Sequence, residues 1–210
     1  VQSLAGNVGR YRRERDSKLK AMVSEIYSAP RNVAAIKLLP ELRLVPGFSL
    51  DLTIVDPDDG LPWDFDNPRK REKALEKVRR EQPMLLIGSP MCTAFSSWQR
   101  INDKIRDPTV CAQEKRRALM HLSFCVDLYR EQHSANRYFL HEHPASATSW
   151  QSDVMQQLSS EPGMILATCD QCQYGMEDLD GNPIKKPTTF LTNAPMIAEQ
   201  LRKRCNGRGG

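Results

Sequence analysis

The sequence has no apolar run approaching the roughly 20 residues that a membrane-spanning helix needs. Its longest apolar stretches, such as Met84-Leu85-Leu86-Ile87, have the length of a buried strand. Near its start there is no apolar segment followed by a small-residue cleavage site, so no secretory leader is expected. Cysteine is sparse, with six in 210 residues. That is too few for a disulfide scaffold, and reduced thiols in an intracellular compartment are expected instead. Internal repeats and low-complexity tracts are also missing. Apolar residues make up 40% and charged residues 27% of the chain. These proportions exclude a mainly disordered chain, a collagen-like fibre and a coiled coil.

What is there is a modest positive charge, unevenly placed. The formal net charge is +4. Arg10, Arg12, Arg13, Arg15, Lys18 and Lys20 stand against only Glu14 and Asp16, and a second basic stretch runs from Arg69 to Arg80. Either stretch could follow a phosphate backbone, or simply be a solvated helix face. Residues 1–21 read as a basic extension, residues 22–205 as one domain and residues 206–210 as a tail.

After residue 21, short apolar runs alternate with helical patterns. Strands are expected at Val23–Tyr27, Phe48–Thr53, Met84–Gly88, Tyr138–Leu140, Met164–Thr168 and Thr188–Thr192, with Gly47 as a turn before the second. Helices are expected at Arg31–Leu39, Pro68–Arg80, 112–133, Ser149–Leu158 and Ala194–Arg204. The helix over 112–133 has the clearest period, with Ala118, Leu122, Cys125 and Tyr129 on one face. Pro57–Gly60 reads as a turn. Alternating strands and helices imply an α/β fold with a mostly parallel sheet flanked by helices.

In such sheets ligands bind just beyond the carboxyl ends of the strands. The residues expected there are Ser28-Ala29-Pro30-Arg31, Asp51, Ser89-Pro90-Met91-Cys92 and His141-Glu142-His143-Pro144, so reactive groups fall where a site should be. In Gly88-Ser89-Pro90-Met91-Cys92-Thr93-Ala94-Phe95-Ser96 a cysteine leaves a buried strand on a tight loop. A thiol is a strong nucleophile even when only a few per cent ionised, although a lone cysteine can equally be a core residue. In Tyr138-Phe139-Leu140-His141-Glu142-His143-Pro144 a carboxyl follows a strand between two imidazoles. In a partly dry cleft it could donate a proton; in the open it is a solvated loop charge. Cys169-Asp170-Gln171-Cys172, with His141 and His143, has half the spacing of a zinc site. The two histidines could complete it, but with a single cysteine pair and two imidazoles expected to diverge, no metal ligands are assigned and no structural zinc is expected. The order also departs from the zinc nucleobase deaminase pattern, because Thr168 and not proline precedes Cys169.

Pro90-Met91-Cys92-Thr93-Ala94-Phe95-Ser96 resembles the nucleophile loop of the C5-cytosine DNA methyltransferases, Pro-Cys-Gln-x-Phe-Ser. Glu142-His143-Pro144 is similar to that family's Glu-Asn-Val or Glu-Asn-Pro. Tyr174-Gly175 followed by Pro183-Ile184-Lys185-Lys186-Pro187-Thr188-Thr189-Phe190-Leu191 resembles Tyr-Gly-x-Pro-Gln-x-Arg-x-Arg-x-Phe. The order and spacing match over residues 23–193, and the strings are closest to divergent members from viruses and mobile elements. The sequence departs from the pattern in five places. Met91 replaces a proline, Thr93 replaces Gln, Lys186 and Thr188 stand where arginines are expected, and Ile26-Tyr27-Ser28-Ala29-Pro30-Arg31 replaces a glycine-rich loop.

The resemblance implies a single Rossmann-like methyltransferase fold. It also implies S-adenosyl-L-methionine as cofactor, DNA as partner, no membrane and a nuclear location. Cys92 would attack C6 of a flipped cytosine, Glu142 would hold N3 and share or give it a proton, and Lys186, with Lys185 beside it, would face a nucleotide phosphate or orient the base. Tyr27, Ser28, Asp51, Asp64, Ser89 and Pro90 would hold the cofactor, Asp51 at the ribose and Asp64 near the adenine. The missing glycines suit a second expectation, a catalytically inactive nucleic-acid-binding or assembly module of a mobile-element polyprotein.

Overall fold

A computed structural model describes residues 21–96, 99, 102, 103 and 105–207. The basic extension expected over residues 1–21 therefore lies outside the described residues, apart from Ala21. Six strands form one sheet: β1 (Ala21–Ile26), β2 (Leu44–Leu50), β3 (Leu85–Gly88), β4 (Tyr138–Pro144), β5 (Ile165–Asp170) and β6 (Pro187–Thr192). Their order is β2-β1-β3-β4-β6-β5. β1 runs parallel to β2 and β3, and β3 to β4, whereas β6 is antiparallel to β4 and β5. The helices are α1 (Arg31–Leu38), α2 (Pro68–Glu81), α3 (Pro108–Ser134), α4 (Asp153–Ser159) and α5 (Pro195–Gln200). The architecture is the α/β arrangement expected, a mostly parallel sheet flanked by helices. No helix among the described residues is long and apolar enough to cross a membrane.

Helix starts follow local chemistry. Asn67 caps α2 by accepting from the Arg69 N–H, and Pro68 fills the first position, where no N–H is needed. Asp107 does the same for α3, accepting from the Thr109 and Val110 N–H groups ahead of Pro108. This cap starts α3 four residues earlier than its apolar period does. The main core lies where α2, α3 and α4 meet the sheet. There Val78, Leu122, Leu128, Met155 and Leu158 pack with Ile26, Leu86, Phe139 and Leu191, all buried.

Several expected boundaries move. β2 spans Leu44–Leu50, so Pro46 and Gly47 lie inside a strand and not before it. β2 is an edge strand, where proline is tolerated. A Cβ on Gly47 would fall 2.1 Å from Ser24 Oγ, so close strand approach, and not a turn, requires that glycine. Residues 51–53 turn away from the sheet. β4 continues through His141, Glu142, His143 and Pro144, which were expected to be loop, because β6 pairs with all four and carries the last three after β3 has ended at the Gly88–His141 pair. The helix expected over Ser149–Leu158 divides into a 3-10 turn at Thr148–Gln151 and α4. The last helix stops at Gln200, and Lys203 and Cys205 instead bond to Asp170.

Gly88 ends β3 directly against Tyr129. A Cβ there would sit 2.0 Å from Tyr129 Oη, which hydrogen-bonds His141 Nδ1 at 3.0 Å. Gly88→Ala must displace that ring from a filled core. It is expected to cost about 1–3 kcal/mol of unfolding free energy, read as a lower urea midpoint at unchanged slope.

Candidate active site

The chain leaves β1 towards β2 on one side and later returns to β3 on the other. Between β1 and β3 the strand order reverses, and a crevice opens beyond their carboxyl ends. A cavity of about 200 Å³ lies there. Its wall takes Tyr27 from the end of β1, Asp51 and Leu52 from the end of β2, and Ser89 and Met91 from the end of β3. Asp64 and Phe65 come from the loop before α2, and Arg117 and His121 from α3.

Asp51 and Asp64 each spend one carboxylate oxygen on a local turn. Asp51 Oδ1 accepts from the Thr53 N–H and hydroxyl, and Asp64 Oδ1 from the Asp66 N–H. Their second oxygens make no hydrogen bond among the described residues. The loop carrying these acids is pinned to α2. Buried Asp56 accepts from Lys70 and Lys73 at 2.7 Å each, and both ammonium groups lie over the Trp63 ring. Burial alone would raise the Asp56 pKa, but the lysine hydrogen bonds outweigh it and hold the carboxyl at about 2.

Tyr27 has φ 55, the left-handed region that glycine favours. Side-chain contacts hold it there. Its ring packs on Phe65 at 4.7 Å, and its hydroxyl lies 2.8 Å from His121 Nδ1. His121 Nε2 is 3.0 Å from Asp66 Oδ1, and the Arg117 guanidinium grips the same carboxylate through Nε and Nη2. Asp66 can only accept, so His121 donates through Nε2 and accepts the Tyr27 proton at Nδ1. Burial keeps this imidazole neutral by lowering its pKa.

The Cys92 loop lies beside this cavity and is anchored at both ends. His143 Nε2 donates to the Pro90 carbonyl at 3.0 Å, and His143 Nδ1 accepts from Ser149 Oγ at 2.6 Å. The Phe95 carbonyl accepts from Thr148 Oγ1 at 3.3 Å. Cys92 lies between these anchors, half-buried, at the start of the Thr93–Phe95 3-10 turn. Alternation along β4 puts Glu142 on the face opposite His141 and His143. The last parallel pair of β3 and β4 is Gly88–His141. One step further the strands have parted, and there Ser89 Oγ donates to Glu142 Oε2 at 3.3 Å.

Of the residues singled out from sequence, Tyr27, Asp51, Asp64 and Ser89 line one cavity, and Ser89 links it to Glu142. Cys92, Glu142, Pro90, Ser28 and Lys186 are not part of its wall. The Ser28 hydroxyl turns back to the Ala29 carbonyl. Lys186 is exposed ahead of β6. Glu142 is a strand residue and not, as expected, a loop residue. Cys169 and Cys172 are buried, while His141 and His143 hold Tyr129, Ser149 and Pro90. No three possible ligands come together among the described residues.

Sequence reasoning misses two features. One is the relay of Arg117, Asp66, His121 and Tyr27, whose only trace is a histidine on the apolar face of α3. The other is Glu25, fully buried in β1, whose carboxylate accepts from the Asn32 and Val33 N–H groups at the start of α1. An acid within an apolar strand is the signal for it. No known protein-family model matches the chain, and no curated protein matches it in sequence. Among solved structures it is similar to Entamoeba histolytica methyltransferase EhMeth, with a TM-score of 0.49 and 12% identity. The match covers 84% of this chain and 54% of that one, so the chain spans about half that structure's length.

Proposed function

We propose that the chain is an S-adenosyl-L-methionine-dependent methyltransferase domain acting on C5 of cytosine in DNA, in the nucleus. The observation that carries this reading is Ser89. It lines the cavity at the switch point and also hydrogen-bonds Glu142, so a nucleoside-binding wall and an acid at the opening of the sheet share one residue.

The cavity fits the nucleoside part of that cofactor. Leu52 and Phe65 offer apolar surface, and the second oxygens of Asp51 and Asp64 are acceptors for ribose hydroxyls and an exocyclic amine. Bound there, the cofactor would supply an electrophilic methyl group. The protein's own steps follow from its side chains. The Cys92 thiolate adds to C6 of the base while Glu142 gives a proton to N3, which neutralises the charge that develops in the ring; once C5 carries the methyl group, loss of the C5 proton and return of the N3 proton to Glu142 break the C6–sulfur bond and free the thiolate. His143 holds the Cys92 loop through Pro90. Lys186 faces a phosphate beside the base.

A titration calorimeter tests the cofactor site without turnover. S-adenosyl-L-methionine and its demethylated product should both bind, and Asp51→Ala should weaken both at least tenfold, about 1.4 kcal/mol for a lost charge-assisted hydrogen bond. Absence of binding by the unaltered chain removes the reading.

One observation favours a second reading, a catalytically inactive nucleic-acid-binding or assembly module. Pro30 and Arg31 occupy the turn where glycines would let a ligand approach, and Glu25 already occupies the first amides of α1. In that case the chain binds DNA but not the cofactor.

A further inference from the structure

We propose that Lys185 and Lys186, together with Arg202 and Lys203, form one surface that binds a nucleic-acid phosphate backbone. The proposal takes its partner from the reading above but does not depend on methyl transfer.

The two basic segments are 16 or more residues apart in sequence, and consecutive residues at the end of β5 bring them together. The Asp170 N–H donates to the Lys203 carbonyl at 3.0 Å, and the Gln171 N–H to the Lys186 carbonyl at 3.1 Å. All four side chains are exposed, and none is in an ion pair among the described residues. Two of the five neighbouring acids are committed. Asp170 is buried and holds the Cys205 N–H and Arg204. Asp178 closes its own turn by accepting from Asn182. Glu177, Asp180 and Glu199 are the remaining acids nearby.

The strap that carries Arg202 and Lys203 is also fixed. The Tyr174 hydroxyl donates to the Gln200 carbonyl, the Lys203 N–H donates to that hydroxyl, and the Lys203 ammonium lies over the Tyr174 ring at 5.3 Å. The cations are therefore presented on an ordered edge and not on a loose tail. β6 is antiparallel, so its start lies at the same edge of the sheet as the ends of β3 and β4. Glu142 pairs with Phe190, four residues beyond Lys186. At about 3.3 Å per residue and 4.8 Å between strands, the two backbones are about 14 Å apart. A strand whose base entered the opening at Glu142 would carry its flanking phosphates towards the lysines.

The test is fluorescence anisotropy with a labelled 20-base-pair DNA duplex, without cofactor, at several salt concentrations. The quadruple variant K185Q/K186Q/R202Q/K203Q should reduce the slope of log K against log salt by at least two, since each phosphate contact contributes about 0.9. K37Q/R43Q, at the opposite end of the sheet, should leave the slope within about 0.5 of the original. Unchanged urea midpoints establish that both variants are folded. An unchanged slope in the folded quadruple variant, or no binding by the parent chain, overturns the proposal. A lowered slope for double-stranded RNA alone identifies RNA as the partner and overturns DNA. A surface that passes while cofactor binding fails rejects the methyltransferase reading alone.

Discussion

Cys92→Ser is expected to abolish a covalent adduct that the unaltered chain forms with DNA carrying 5-fluorocytosine. Addition of the Cys92 sulfur to C6 makes C5 nucleophilic, and a fluorine at C5 cannot leave as a proton would, so the adduct persists. Its formation should require S-adenosyl-L-methionine. A serine hydroxyl is far less ionised near neutral pH than a thiol, so loss to below detection on a denaturing gel is expected. Glu142→Gln should slow adduct formation by about 10²–10⁴-fold, the usual worth of a positioned general acid. DNA affinity should change little, because the lost proton transfer belongs to the transition state. The geometry motivates both expectations. Cys92 is held between two anchored carbonyls, and Glu142 emerges where β3 and β4 part. Equal adduct yield from Cys92→Ser would remove the cysteine from the chemistry. A chain that gives no adduct, does not bind the cofactor and still binds DNA with steep salt dependence would be the inactive module.

How far the sequence leads is clear from particular residues. The strand-end rule reaches Asp51 and Ser89 because it needs only the order of strands and the residue after each one, whereas Tyr27 enters only through the family resemblance. It misreads His141-Glu142-His143 because the partner that extends β4 is β6, some 45 residues away, and no local signal announces that pairing. The consequence is chemical. As a loop, the three residues would point in unrelated directions; as a strand, they alternate, giving Glu142 to one face and both imidazoles to the other. His121 is invisible for a related reason. Its partners Tyr27 and Asp66 lie 94 and 55 residues away, and only packing of α3 beside the end of β1 joins them. Gly47 shows the opposite error. Read locally a glycine is a turn, but here it permits the approach of Ser24.

The buried imidazoles predict a pH response that is not shared by the carboxylates. His143 is enclosed by Ser149, the Pro90 carbonyl and the rings of Phe95, Trp150 and His141. Burial lowers its pKa from 6.5 to about 4, although its bond to Pro90 resists the shift. His141 is lowered further, by complete burial and by its neighbour His143. The unfolded chain therefore takes up protons near pH 6.5 that the folded chain refuses. Stability is fully present above that value and is lost as pH falls towards 4. The depression of His143 alone corresponds to about 3 kcal/mol, at about 1.36 kcal/mol per unit. His121 adds to the loss with the same sign, and Asp127, whose pKa is raised by desolvation, opposes it. Asp56 contributes nothing in this window, because its hold on Lys70 and Lys73 is lost only on protonation between 3.8 and about 2. Urea unfolding at pH 7.5, 6.5, 5.5 and 4.5 should show a falling midpoint. His143→Gln, which keeps a donor for the Pro90 carbonyl, should begin less stable and fall less steeply. A midpoint constant down to pH 4.5 would mean that His143 is charged or exposed in the folded chain, and the anchor assigned to the Cys92 loop would go with it.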